Sequence, residues 1–175
     1  MSDAPTAAST VWRAGVIEDF ARSELFDKTF EEGMELVEVC AAYLDGVGRQ
    51  DSRMLSRNAA LAYAAESMRL TTRLMQVASW LLVQRAVREG DMEPSAACEP
   101  RYRVGDEAVN QTAEIPEHEG LPSSLIELVG RSERLYERVR HLDQRMYVDG
   151  EAAVEAPNPV LSQFTRLQDV FGKAS

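Results

Sequence analysis

Groups that carry out catalysis or bind metal ions are scarce in this chain. Of its 175 residues only two are histidines, His118 and His141, and only two are cysteines. Cys40 and Cys98 lie far apart and form no CxxC pair, a usage typical of a protein kept in the reducing cytoplasm. No motif for a catalytic nucleophile, a phosphate-binding loop or a metal site occurs. We therefore expect a protein that is not an enzyme and has no cofactor.

Long apolar runs and an excess of basic charge are also missing. No stretch approaches the roughly 18 consecutive apolar residues that favour a transmembrane helix. The N-terminal sequence MSDAPTAAST does not resemble a secretory signal. The formal net charge is -10, whereas a general nucleic-acid-binding protein needs a basic surface. The sequence thus predicts a cytoplasmic protein that binds neither membranes nor nucleic acids.

The segment 54–89 is the strongest helix signal in the chain. It contains neither proline nor glycine and is rich in Ala, Leu, Met, Arg and Gln, which favours one long helix that ends before Gly90. Apolar residues follow two lines along this helix, so we expect it to be covered on two sides. The first apolar line contains Ala59, Tyr63, Leu70, Leu74, Val77 and Leu81.

The second apolar line repeats every seventh residue, at Leu61, Met68, Met75 and Leu82. A line of this kind must be covered by another apolar surface. Two interpretations are open. These side chains face either a second copy of the chain, in a homodimer, or the third helix of the same chain. The sequence does not distinguish between the two.

A narrow face with Arg69, Arg73, Gln76 and Trp80 lies between the two apolar lines. No acidic residue occurs from residue 67 to residue 88, which is unusual in so acidic a chain. In one interpretation the arginines pair with carboxylates of neighbouring helices and the tryptophan fills an edge of the core. In the other the face binds a partner protein, since Arg and Trp are enriched at binding hot spots. We treat these residues as a candidate partner-binding face and keep the structural role as the alternative.

Two further amphipathic segments predict helices at residues 23–45 and 123–149. Together with the central helix they predict an all-α protein built as a three-helix bundle. The turn after the first of these helices contains Gly46 and Gly48. These glycines permit the positive φ that ends many helices.

Three segments lack a clear pattern of this kind. Residues 1–22 predict a mobile N-terminal tail, and residues 91–121, which three prolines interrupt, predict a mobile loop. Residues 150–175 predict a flexible C-terminal tail with one short amphipathic stretch. This stretch docks onto the bundle or binds in a partner's groove. Its apolar positions include Phe164, Leu167 and Phe171.

Three blocks of the sequence resemble a known family. The segment ESMRLTTRLMQVASWLLVQRAV (Glu66–Val87), preceded by EGMELVEVCAAYLDGVGR (Glu32–Arg49) and followed by RVRHLDQRMY (Arg138–Tyr147), resembles the regulator-of-CtrA-degradation family (RcdA) of alphaproteobacteria. The resemblance covers the three predicted helices, about residues 25–149. The two tails and the loop carry little of it.

This resemblance implies a function that composition and periodicity do not reveal. Members of the family are non-enzymatic adaptors of the ClpXP protease that help to deliver cell-cycle regulators, such as the transcription factor CtrA, for degradation. The resemblance implies a dimeric three-helix bundle that engages the ClpX unfoldase once a receiver-domain adaptor has primed it. It further implies binding of cargo or of a cyclic-diguanylate-responsive adaptor, recruitment to a cell pole, and no cofactor. A polar-localisation scaffold without delivery activity is the alternative.

Overall fold

A computed structural model describes residues 7–105 and 120–155 of the chain. These residues contain six α-helices, one 3-10 turn and no strand, which confirms the predicted all-α fold. The predicted helices at 23–45, 54–89 and 123–149 correspond to the three long helices. The elements in chain order are α1 (Ala7–Ala21), α2 (Glu24–Asp45), α3 (Val47–Arg53), α4 (Arg57–Glu89), α5 (Pro94–Ala97), the 3-10 turn Pro100–Tyr102 and α6 (Ser123–Glu155).

The long helix α4 begins and ends at residues that suit those positions. Ser56 has extended backbone, and its hydroxyl accepts a hydrogen bond from the backbone N–H of Ala59 at 3.3 Å. Such a cap satisfies one of the free N–H groups of the first turn. At the other end Gly90 adopts a φ of 81°, the left-handed conformation that commonly terminates helices. α4 therefore runs uninterrupted for 33 residues.

The core of the protein forms around α4, which contacts α1, α2 and α6. All six residues of the first apolar line of α4 are buried, and Leu70, Val77 and Leu81 are almost inaccessible to solvent. α6 contributes Leu135 and Val139 to the same core. Burial of apolar surface of this kind is the main favourable contribution to folding.

The N-terminal segment corrects a prediction made from the sequence. Residues 7–21 of the predicted mobile tail (1–22) form α1, which contacts α4, α5 and α6. Ile17 and Ala21 lie one helical turn apart and are fully buried. Because this buried face is short, it gave only a weak periodic signal. The body of the protein therefore has a fourth helix beside the three predicted ones.

The turn between α2 and α4 also differs from the prediction. Residues 47–53 form α3, and Gly46 has a φ of -110° rather than a positive value. Gly48 lies inside α3 and is buried. A Cβ atom at this position would lie 2.7 Å from the Tyr63 hydroxyl and 2.8 Å from the Tyr43 carbonyl oxygen. Glycine is therefore required here by close packing and not by its conformational freedom.

Residues 91–105, which we call the strap, are ordered by contacts with the bundle. The strap contains α5 and the 3-10 turn, and Ala97 and Val104 are buried. The prediction that residues 91–121 form a mobile loop is therefore wrong for its first half. The apolar residues of this half are few, but they lie where they contact the bundle. Residues 106–119 lie outside the described residues.

Two residues of α6 fasten the end of the strap. Tyr136 donates a hydrogen bond from its hydroxyl to the carbonyl oxygen of Gly105 at 2.8 Å. Asp143, only 2% exposed, forms an ion pair with Arg103 at 3.4 Å and accepts a hydrogen bond from Trp80 Nε1 at 3.0 Å. One carboxylate thus joins α4, α6 and the strap. Burial raises the pKa of Asp143, although these hydrogen bonds and the arginine act in the opposite direction.

The C-terminal part of α6 extends past the predicted end at residue 149 and reaches Glu155. The predicted flexible tail therefore begins with a helical segment. Residues 156–175 lie outside the described residues, and with them the predicted motif of Phe164, Leu167 and Phe171.

The packing around Gly48 leads to a first prediction. Replacement Gly48→Ala is expected to lower the free energy of unfolding by about 1–3 kcal/mol, because the new methyl group overlaps a backbone oxygen that cannot move independently. Denaturation with urea measures the change. Gly15→Ala is the control, since no atom lies within 4 Å of a Cβ at this helical position. It should stabilise the protein by roughly 0.5–1 kcal/mol. Equal effects of the two replacements would contradict the prediction.

The burial of Asp143 leads to a second prediction. Because its pKa is raised in the folded state, the folded protein binds a proton at this site more tightly than the unfolded chain does. The contribution of this group to stability therefore grows as the pH falls from 7 through the raised pKa. The difference between the melting temperatures of the wild type and of Asp143→Asn should shift in favour of the wild type as the pH is lowered from 7 to 4.5. A difference that stays constant, or that shifts in favour of the variant, would refute this.

Candidate partner-binding surface

The candidate face of α4 is divided by the structure into buried and accessible parts. Arg73 and Trp80 are only 5% and 2% exposed. Arg73 donates a hydrogen bond from Nη1 to the Ser132 hydroxyl at 2.9 Å and lies 3.4 Å from a carboxylate oxygen of Glu133. Trp80 donates to Asp143, as described above. Burial and internal hydrogen bonds favour a structural role for these two side chains in the contact between α4 and α6.

Arg69 and Gln76 lie nearer the surface than their neighbours on this face. Arg69 forms an ion pair at 2.9 Å with Glu66, a buried carboxylate one turn earlier on α4. Gln76 is half-buried, and its side-chain carbonyl oxygen accepts no hydrogen bond from the described residues. This oxygen is itself buried, so it is an acceptor left unpaired inside the protein and not an accessible group at the surface.

The second apolar line of α4 is exposed along its whole length. Leu61, Met68, Met75 and Leu82 have exposed fractions of 66%, 72%, 68% and 52%. Within the described residues no helix covers them, so they do not belong to the core that these residues form. Of the two interpretations offered by the sequence, packing against the third helix of the same chain is excluded for the described conformation.

Small uncharged residues fill the spaces between these four side chains. Ala64, Ala65, Thr71, Thr72 and Ser79 are also exposed, and no charged residue on this face interrupts them between residues 61 and 82. We call this surface the seam. A continuous exposed apolar surface of this kind typically marks a site of interaction with another protein. The seam consists of Leu61, Ala64, Ala65, Met68, Thr71, Thr72, Met75, Ala78, Ser79 and Leu82.

A cavity of about 350 Å³ opens beside the seam. Met75, Gln76 and Trp80 line one wall, and residues 101–105 of the strap line the other. The strap therefore adds a shaped edge to the exposed face of α4. No pattern in the sequence indicates this cavity, because the cavity depends on where the strap crosses α4.

The described residues contain no group of three or more His, Cys, Asp or Glu side chains that could hold a metal ion. Both thiols are poor nucleophiles, because burial raises the pKa of Cys40 and of Cys98. Among the helices of the described part of the chain, none is long and apolar enough to cross a membrane.

Comparison with known proteins identifies the family to which this chain belongs. Residues 17–171 match a family described as "Protein of unknown function (DUF1465)". No curated protein matches the chain. Among solved structures the chain matches the crystal structure of RcdA from Caulobacter crescentus CB15, with 68% sequence identity and a TM-score of 0.61. The match covers 75% of this chain and 98% of the RcdA chain. The chain thus belongs to the DUF1465 family and is a member of the RcdA family that its sequence resembles.

Proposed function

We propose that this protein is a non-enzymatic adaptor that helps to deliver cell-cycle regulators to the ClpXP protease. The observation that carries the proposal is the 68% identity to RcdA over nearly the whole RcdA chain. By the family resemblance its partners are the ClpX unfoldase and a receiver-domain priming adaptor. Its cargo is a regulator such as CtrA, bound directly or through a cyclic-diguanylate-responsive adaptor. It acts in the cytoplasm and is recruited to a cell pole.

The physical properties of the chain suit such a role. An adaptor accelerates degradation by holding cargo near the protease, which raises the effective concentration without any new chemistry. It needs a rigid body with separate binding surfaces and no catalytic group. The bundle provides the body, while the seam and the adjoining cavity provide surface for contact. Arg69 and Gln76 at the side of the seam remain candidates for contact with a partner.

We further propose that the protein forms a homodimer through the seam. Met68 and Met75 are each about 70% exposed, and an apolar side chain gains roughly 1.5–3 kcal/mol when it is fully buried. A second copy of the same helix offers a matching apolar surface. The amphipathic stretch with Phe164, Leu167 and Phe171 is proposed as a separate docking motif, which would bind a partner.

A scaffold for polar localisation is the second candidate function. Such a protein would bind the same partners through the same surfaces, but it would not change the rate at which ClpXP degrades its cargo. The exposed seam suits both functions, since it concerns binding alone. The two functions differ in the degradation assay described below.

The third prediction concerns the homodimer. The variant Met75→Glu is expected to weaken self-association at least about tenfold, because a dimer would bury an unpaired carboxylate. The melting temperature at low concentration should change little, since Met75 is exposed in the single chain. Analytical ultracentrifugation measures the association. Leu25→Glu, a replacement of a half-exposed leucine on α2, is the control and should leave the dimer intact. A Met75→Glu variant that remains dimeric at wild-type affinity would contradict the prediction.

The fourth prediction concerns delivery. With ClpXP, the priming adaptor and a CtrA-type cargo, addition of the protein should accelerate loss of the cargo severalfold, since tethering raises its effective concentration. Degradation of a substrate that ClpXP recognises without an adaptor is the control and should not change. Binding of the cargo without any acceleration would favour the scaffold.

A chain that ends at residue 155 tests the docking motif in the same assay. It retains all the described helices but lacks Phe164, Leu167 and Phe171. It should keep its melting temperature and lose acceleration of at least one cargo. Full activity of the shortened chain would argue against a role for the motif in delivery.

A further inference from the structure

The cavity between α4 and the strap, which we call the strap cavity, has the size and lining of a binding site. Its volume of about 350 Å³ lies at the lower end of the range typical of ligand sites and leaves room for a bulky side chain. Trp80, Tyr102 and Val104 give it apolar and aromatic walls. A lining of this kind favours an apolar occupant.

The side-chain amide of Gln76 also lines the strap cavity, and no hydrogen bond to the described residues holds it. Its oxygen is buried without a partner, which is unfavourable. Its nitrogen faces the strap, 3.9 Å from the place that a Cβ atom on Gly105 would occupy. An amide that is not held can turn about its last bond, a torsion with broad preferences. It can therefore present either a donor or an acceptor to a peptide group that enters the cavity.

The charges of the strap cavity are positive. Among the described residues that line it, Arg101 and Arg103 are the only charged ones. Arg103 is engaged by the buried carboxylate of Asp143. Arg101 lies over the ring of Tyr102 and pairs with Glu99 at 2.8 Å, but both side chains of this pair are largely exposed. Exposed ion pairs contribute little to stability, so Arg101 can exchange Glu99 for the carboxylate of an incoming molecule at small cost.

The wall of the cavity that the strap forms is already in place before any molecule binds. Tyr136 of α6 donates a hydrogen bond to the carbonyl oxygen of Gly105, and Asp143 holds Arg103. The opposite wall is the long helix α4. A site that is formed in advance does not have to be ordered on binding, which favours affinity for a short segment.

The strap cavity adjoins the seam but is distinct from it. Of the residues that line it, Thr72, Met75 and Ser79 belong to the seam, and the other seven lie outside it. Conversely, Leu61 and Met68 of the seam do not line the cavity. Substitutions can therefore separate binding in the cavity from binding along the seam.

We propose that the strap cavity binds a peptide segment of a partner protein, in which a bulky apolar residue stands beside Asp or Glu. The apolar side chain lies between α4 and the strap, a peptide group pairs with the amide of Gln76, and the carboxylate pairs with Arg101. A peptide offers these three groups on neighbouring residues, whereas a nucleic acid offers no apolar side chain. The inference rests on the proposed function for the origin of the segment, in a cargo or another partner of the adaptor. The binding itself requires no protease.

Selection from a phage-displayed library of random dodecapeptides tests the chemistry of the occupant. The immobilised full-length protein should enrich sequences in which Leu, Phe, Met or Trp stands beside Asp or Glu. The most enriched peptide, labelled with fluorescein, then serves as the probe in measurements of fluorescence anisotropy. Enrichment of basic sequences, or no enrichment at all, would overturn the proposal.

Charge reversal at Arg101 tests the proposed contact with the carboxylate. Arg101→Glu should weaken binding of the labelled peptide at least about tenfold, because attraction becomes repulsion. Arg101→Lys should retain most of the affinity. The control is Arg134→Glu, which changes an exposed arginine of α6 that does not line the cavity. Equal affinities of Arg101→Glu and Arg134→Glu would count against the site.

Replacement of Gln76 separates a binding role from a structural one. Gln76→Leu should weaken binding of the labelled peptide severalfold, since the polar contact is lost. The melting temperature of the free protein should stay the same or rise, because an unpaired buried oxygen disappears. A lower melting temperature with unchanged affinity for the peptide would show that Gln76 serves the fold alone and would contradict the proposal.

Two further variants test other occupants and other locations. Met68→Glu changes the seam outside the cavity and should bind the peptide as the wild type does; loss of binding would place the peptide on the seam. The chain that ends at residue 155 should also bind with wild-type affinity. Tighter binding by this shortened chain would show that the protein's own C-terminal segment occupies the cavity, and the proposal of a partner segment would fail.

The degradation assay distinguishes failure of this inference from failure of the proposed function. Peptide binding by a protein that accelerates no degradation would leave the strap cavity as a binding site without the adaptor function. If Arg101→Glu loses the peptide but accelerates degradation of every cargo as the wild type does, the adaptor function stands and the assignment of the cavity to a delivery partner is wrong.

Discussion

The packing of the helices depends on hydrogen bonds, because buried polar groups on α4 require partners that other helices supply. Arg73 and Trp80 lie two turns apart on one face, and each would be costly to bury without a partner. Ser132 and Asp143 on α6 supply those partners at 2.9 and 3.0 Å. Two such contacts, at separate levels of the bundle, fix the rotation and the axial position of α6 against α4. Apolar contacts alone tolerate sliding more easily, since they have no direction.

Once α6 is fixed in this way, the remaining surfaces of the molecule follow. α1 and α2 occupy the other flanks of α4, and the strap closes over Trp80 because Asp143 also pairs with Arg103. The seam is the side of α4 left uncovered by the described helices. The internal polar contacts between α4 and α6 therefore determine which side of α4 stays exposed, although the residues of the seam take no part in these contacts.

Much of the fold was accessible from the sequence because the signals were local. Helical periodicity and Gly90 placed the ends of the long helices within three residues of those observed, except that α6 continues six residues beyond its predicted end. α1 was missed because its deeply buried face rests chiefly on Ile17 and Ala21. The roles of Arg73 and Trp80 could not be decided, since their partners lie about sixty positions later in the chain. The same limit applies to the seam. Its apolar line was evident, but its exposure depends on which faces the other helices cover.

The seam has a consequence for how copies of the protein behave in solution. It is an uncharged surface on a chain of net charge -10. Two copies repel each other at long range, while the apolar surfaces attract only on contact. Dissolved salt screens charge over a Debye length of about 8 Å at physiological ionic strength, and it leaves apolar attraction largely intact. Ionic strength therefore sets the height of the barrier that two copies must cross before their seams can touch.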